Sequence, residues 1–120
     1  MSKFSEMLKR LRIEKGVTLR EFCLTNGFDP GNYSRLERGM YPPPNADLLE
    51  KYATALAVER GSDAWLELFD LAATCRGEIP SDLLADARVV EKLPVLFRTM
   101  RAKQVSPEQL DALIDEIRRS

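Results

Sequence analysis

The chain has 120 residues, 44% of them hydrophobic and 31% charged, with a net charge of −1, two cysteines and no histidine. This length and apolar content are enough for a packed core and argue against a disordered chain. The absence of histidine removes the commonest general base and metal ligand, and two isolated cysteines cannot supply a structural zinc site. We therefore expect no enzyme activity, no metal and no cofactor.

Nothing in the sequence predicts a membrane or export segment. No run approaches ~20 consecutive apolar residues, and the N-terminal residues lack the apolar region of a signal peptide. We expect a soluble, cytoplasmic protein with no membrane partner. In that reducing compartment, Cys23 and Cys75 are expected to remain free thiols.

Charge is unevenly distributed along the chain. Residues 1–41 carry eight Lys/Arg and five Asp/Glu, whereas residues 61–120 carry eight Lys/Arg and eleven Asp/Glu. A mildly basic N-terminal part is thus joined to an acidic C-terminal part. The low overall charge does not exclude a local basic face, because the distribution of charge matters more than its sum.

Apolar residues recur at helical spacing, which predicts an all-α protein. The first helix carries Phe4, Leu8 and Leu11 on one side and ends near Gly16. Thr18 is a good N-cap for a second helix, which Asn26-Gly27 stops. Asp29-Pro30 then begins a third helix, since aspartate is a good N-cap and proline fits the first helical turn. That helix ends at Gly39.

Two further helices complete the first part of the chain. Pro42 to Pro44 form a stiff connector, and Asn45 caps a fourth helix. Gly61-Ser62 precedes a fifth helix, which stops near Gly77. Five short helices therefore fill a predicted domain of residues 1–76.

Residues 77–120 are expected to form a C-terminal helical extension. Ser106, Pro107 and Gln109 together give a strong helix-start signal. Two apolar stripes at helical spacing need burial, either against the first domain or in a dimer interface. The stripes consist of Leu93, Leu96, Phe97 and Met100, and of Leu110, Leu113, Ile114 and Ile117.

The segment Thr18 to Gly39 has the layout of a helix-turn-helix, in which two short helices are separated by a tight glycine turn. Asn32 and Arg35 are three residues apart, so they share a helix face. Asparagine pairs bidentately with adenine and arginine with guanine in the DNA major groove, and Gly31 lets the backbone approach closely. An ordinary solvated helix face is the alternative, which the preceding turn disfavours.

Several further segments of the sequence resemble a known protein family. The sequence resembles the Xre/Cro/phage-repressor family over about residues 3–72, in the segments Phe4–Arg12, Gly16–Cys23, Gly27–Asp29 and Tyr33–Gly39. The resemblance implies a five-helix lambda-repressor-like helix-turn-helix domain. It also implies a dimeric, sequence-specific bacterial or phage transcriptional repressor.

The resemblance assigns roles to individual positions. It implies that Gly31, Asn32 and Arg35 read bases, and that phosphates are bound by Thr18, Arg20, Arg38 and Tyr41. It further implies a buried ion pair between Arg12 and Glu37, joining the first helix to the third.

The chain departs from the family pattern in three places. Tyr33 replaces a β-branched core residue, so we expect its ring to be only partly buried. Pro30 and Gly31 stand where larger polar readers are common, and Asn26 occupies a position that is usually apolar. These departures reduce the number of side chains that can discriminate bases, not the expected mode of docking.

Two hypotheses of different class follow. The first is a homodimer that reads an inverted repeat in double-stranded DNA, with its dimer contact either in residues 93–117 or near the fifth helix. The second is an antitoxin or similar regulator, whose acidic C-terminal region binds a protein partner such as a toxin.

Overall fold

The computed structural model describes residues 2–120, and within that range the chain is all-α, as predicted. Residues up to Pro80 form one compact unit, and Ser81–Ser120 form a second. The first unit contains α1 (Lys3–Glu14), α2 (Leu19–Asn26), α3 (Pro30–Glu37), α4 (Ala46–Ala55) and α5 (Asp63–Cys75). The second contains α6 (Ser81–Leu84), α7 (Ala87–Lys103) and α8 (Pro107–Arg119).

Local signals determine where the helices of the first unit begin. The Ser2 side chain accepts a hydrogen bond from the N–H of Ser5, and Thr18 Oγ1 accepts one from the N–H of Glu21 at 3.1 Å. The Asn45 side chain caps α4 in the same way. Each cap satisfies an N–H that has no partner inside its own helix, so these starts are encoded within a few residues of sequence.

The first unit extends four residues past the predicted boundary at residue 76. After α5, the Glu78 N–H donates to the carbonyl of Ala73 at 2.8 Å, so the chain folds back on the helix end. The Arg76 guanidinium donates to the carbonyl of Pro43 at 2.9 Å, which attaches the end of α5 to the proline connector.

Helices α1 to α5 enclose one apolar core. Cys23 is fully buried, and burial raises the pKa of its thiol, so Cys23 is a protonated packing residue. Trp65 is buried and stacks on the half-buried Phe69 at 4.9 Å between ring centroids. The largest fully buried side chains are Tyr33, Phe4, Phe22, Leu8, Leu49 and Leu68.

The prediction that Tyr33 is only partly buried is wrong. Its side chain is 0% exposed, with its ring 5.0 Å from that of Phe22 and 5.2 Å from that of Tyr52. Phe28 also contacts this cluster, with its ring edge-on to Tyr52 at 4.7 Å. Aromatic rings from α2, α3, α4 and the intervening turn fill the space that a smaller β-branched residue would leave, which is why Tyr33 is accommodated inside.

The second unit is built differently, because none of the residues 81–120 is buried. Helix α7 continues through Pro94, which has no N–H to donate to the preceding turn. Helix α8 begins with a complete capping box between Ser106 and Gln109, as the sequence predicts. No helix among residues 2–120 combines the length and apolar content required to cross a bilayer.

Candidate nucleic-acid interface

The turn between α2 and α3 is short and sharply defined. Gly27 adopts a left-handed conformation (φ 72°), which costs glycine no Cβ strain, and its N–H donates to the carbonyl of Cys23. The Phe28 N–H donates to the same carbonyl at 2.9 Å. Asp29 then caps α3, and Pro30 occupies its first turn. Only the three residues Gly27, Phe28 and Asp29 thus join the two eight-residue helices.

Helix α3 presents different chemistry on its two sides. Tyr33, Leu36 and Glu37 face inward and are buried. Gly31 and Asn32 are exposed, and Arg35 is half-buried. The positions expected to read bases therefore lie on the side of α3 that is not used for packing.

Arg35 does not extend freely into solvent. Its guanidinium carbon lies over the ring of Tyr41, 5.8 Å from the centroid. A Cβ at Gly31 would lie 3.3 Å from Arg35 Nη1, so glycine leaves room for the arginine to fold back along the helix. The structure therefore brings Gly31, Arg35 and Tyr41 together.

The contact between Arg35 and Tyr41 was not predicted, because it depends on the chain reversal after α3. Gly39 adopts φ 74°, and the Met40 N–H donates to the Arg35 carbonyl at 2.8 Å. This turn brings Tyr41 back toward the helix it has just left. The glycine was visible in the sequence, but Tyr41 was expected to bind phosphate and not to contact Arg35.

Asp29 was predicted only as the N-cap of α3, but it also determines which groups at the helix start are free to bind a ligand. Its Oδ1 accepts hydrogen bonds from the N–H groups of Gly31 at 2.8 Å and Asn32 at 3.1 Å. The first amides of α3 are therefore already satisfied by a carboxylate. A phosphate bound near this helix start would have to use side chains, because these N–H groups are engaged.

Arg12 and Glu37 form a bidentate ion pair between α1 and α3. Arg12 Nε lies 2.7 Å from Glu37 Oε2, and Nη2 lies 2.9 Å from Oε1. A third bond runs from Arg12 Nη1 to the carbonyl of Val17 at 3.0 Å. The hydrogen bond with Glu37 is the main cause of a raised Arg12 pKa. With side chains 11% and 3% exposed, the pair ties the C-terminal end of α3 to α1 and to the residue preceding Thr18.

The four positions expected to contact phosphates are all exposed, but their local roles differ. Thr18 accepts the capping bond from Glu21, which leaves its own hydroxyl hydrogen available to donate. Arg38 Nε lies 3.4 Å from the carbonyl of Ser34. Tyr41 is engaged by Arg35, and Arg20 is an exposed cation in the first turn of α2.

Asn26, at a position that is usually apolar, has a local explanation. Its side chain is exposed, and Nδ2 donates to the carbonyl of Phe22 at 2.8 Å. The amide thereby satisfies a carbonyl of the last turn of α2. A polar residue is tolerated because the position faces outward.

Comparison with known proteins identifies the segment that carries this geometry. Residues 8–61 match a protein-family model described as Helix-turn-helix, and neither a curated protein nor a solved structure gives a significant match. The matched segment contains the Arg12–Glu37 pair, the α2–turn–α3 element and Tyr41. The family consists of DNA-binding regulators and is typically non-enzymatic. Residues 8–61 of this chain therefore form a helix-turn-helix domain similar to those of the Xre and lambda-repressor type, and this match supports a role as a DNA-binding regulator.

Proposed function

We propose that this protein is a sequence-specific transcriptional repressor, which binds an inverted repeat in double-stranded DNA as a homodimer. Each subunit would insert the N-terminal part of α3 into one major groove. Half-sites read in this way lie about 34–36 Å apart along the DNA. Occupation of such a site within a promoter would exclude other proteins from it.

One observation carries the proposal. Asn32 and Arg35 both lie on the side of α3 that does not pack against the core, and the opposite side of α3 is buried. The Arg12–Glu37 pair and the buried Tyr33 hold α3 against the core. A rigidly held helix places its side chains reproducibly against base edges, which discrimination between bases requires.

The two readers have different chemistry. The Asn32 amide can pair with the N6 and N7 atoms of adenine, and the Arg35 guanidinium can pair with the O6 and N7 atoms of guanine. Each such pair provides about 1–3 kcal/mol of discrimination against a wrong base. Arg20 and Arg38 would add phosphate contacts that are independent of sequence.

Selection of bound sites from a random DNA library, at a stated salt concentration, tests the proposal. We expect a two-fold symmetric site, with at least one strongly preferred G·C pair in each half. Recovery of no preferred sequence would contradict sequence-specific binding. A preferred but asymmetric site would contradict the homodimer reading an inverted repeat.

Two arginine variants separate base reading from phosphate binding. Arg35→Ala should relax the preference at one base pair in each half-site. Arg20→Ala should weaken binding to all sites alike and reduce the slope of affinity against salt by about one. An unchanged preference of Arg35→Ala across single-base variants of the site would exclude Arg35 as a reader.

A further inference from the structure

Helix α8 carries an apolar stripe that the other helices of its own unit leave exposed. Leu113, Ile114 and Ile117 are 44%, 46% and 65% exposed, and Leu110 is half-buried. All four lie on one side of a helix whose start is fixed by its own capping box. An exposed apolar stripe of this kind on a surface helix indicates a contact with another protein surface.

The charges of α8 are separated along its length. The segment 108–116 carries four acidic residues and no basic one, and Arg118 and Arg119 follow at its C-terminal end. A second α8 lying parallel would place acid beside acid and base beside base. An antiparallel second α8 would place each basic end beside the other's acidic part, and it would also oppose the two helix dipoles.

We infer that α8 pairs with α8 of a second copy of this chain in antiparallel orientation, across a two-fold axis beside Ile114. This inference rests on the homodimer of the proposed function and assigns its contact to one helix. Self-complementarity is what favours a second copy over an unrelated protein, because a two-fold contact brings the same surface against itself. The acidic and basic parts of α8 satisfy that condition within 13 residues.

Asp111 and Arg118 define the register. They are seven residues apart, so they project from the same side of α8, beside the apolar stripe. Both are exposed. In the antiparallel pair, Asp111 of one copy faces Arg118 of the other, and the symmetry produces this contact twice.

Charge reversal of the full chain, read out by sedimentation equilibrium without DNA, tests the register. Asp111→Arg and Arg118→Asp should each weaken dimerisation about tenfold, since two attractive contacts per dimer become repulsive. The double variant restores opposite charges in reversed order. Its dimer dissociation constant should return to within about threefold of that of the original chain.

Two neighbouring positions provide matched controls. Asp115→Arg and Arg119→Asp make the same changes in charge on the side of α8 opposite the stripe, and they should leave dimerisation within about twofold. Circular dichroism verifies that each variant keeps its helices. If Arg119→Asp weakens the dimer as much as Arg118→Asp, or if the double variant stays as weak as the single ones, the register is wrong.

Ile117→Asp tests the apolar stripe independently of the register. It should convert the dimer to monomer, because a carboxylate cannot be buried in that contact without a partner. A chain that is already monomeric, or a dimer that survives Ile117→Asp, overturns the inference altogether. Because these measurements contain no DNA, a protein that dimerises as expected but selects no DNA sequence would contradict the proposed function alone.

Discussion

The Tyr33 hydroxyl is buried close to the Glu37 carboxylate, but among residues 2–120 it makes no hydrogen bond of good geometry. An unsatisfied buried polar group costs about 1–3 kcal/mol of stability. Tyr33→Phe removes the hydroxyl and keeps the ring among its aromatic neighbours. We expect it to stabilise the domain by about 1 kcal/mol, which raises the melting temperature by about 4–8 °C. A lower melting temperature by circular dichroism would show that the hydroxyl is bonded in solution.

The same residue predicts a loss of stability at high pH. Burial, followed by the negative charge of Glu37, raises the pKa of Tyr33, so the folded protein holds this phenol neutral. A group with a raised pKa contributes stability that is complete below its ordinary pKa of about 10 and is lost as the pH rises above that value. The urea midpoint should therefore fall between about pH 9 and about pH 11, and fall less in Tyr33→Phe. Equal decreases in the two proteins would contradict the assignment.

Two substitutions at Tyr41 distinguish a role in positioning Arg35 from a role in binding phosphate. If its ring positions Arg35, Tyr41→Phe should leave base preference unchanged, because phenylalanine retains the face on which the guanidinium lies. Tyr41→Leu should reduce discrimination at the Arg35 base pair about two- to fivefold, the value of one exposed cation–π contact. A phosphate contact through the hydroxyl predicts the reverse, namely that Tyr41→Phe weakens all sites equally. Binding of each variant to a panel of single-base operator variants separates the two.

At the scale of helices, the Arg12–Glu37 pair connects α1 to α3 through two hydrogen bonds. Glu37→Gln leaves the guanidinium of Arg12 largely buried without its counter-ion, which we expect to cost about 3–5 kcal/mol. The double variant Arg12→Met with Glu37→Leu removes both charges and should cost clearly less, because no unpaired charge remains. Denaturant unfolding of the two variants measures the difference. If the double variant is the less stable of the two, the pair contributes net stability.

The helices and the turn were predictable from the sequence because their determinants are local. Thr18, Gly27 and Asp29 each act on backbone groups within a few residues of themselves. The burial of Tyr33 and the contact of Tyr41 with Arg35 depend on elements that meet only in the folded domain. Helix periodicity shows which side of α3 faces inward, but it does not show how large a ring the opposing helices leave room for.

The two units of the molecule differ in whether they contain buried side chains. Every buried side chain among residues 2–120 lies between Phe4 and Ala73. The sequence indicated apolar stripes in the extension, but it could not show whether they pack on the first domain or on another chain. The stripe of α8 is exposed within the second unit, and the charge pattern of α8 favours a second copy as its partner.

A chain that ends after Pro80 should therefore still fold, but it should no longer pair with a second copy through α8. We expect its thermal unfolding to remain cooperative, since truncation removes none of the buried side chains. Sedimentation should show a monomer for the truncated chain and the proposed dimer for the full chain. On a symmetric operator the truncated chain should bind the two half-sites independently, because the gain in effective concentration that links them is lost. A truncated chain that still sediments as a dimer would place the contact within the first unit, near α5 rather than in α8.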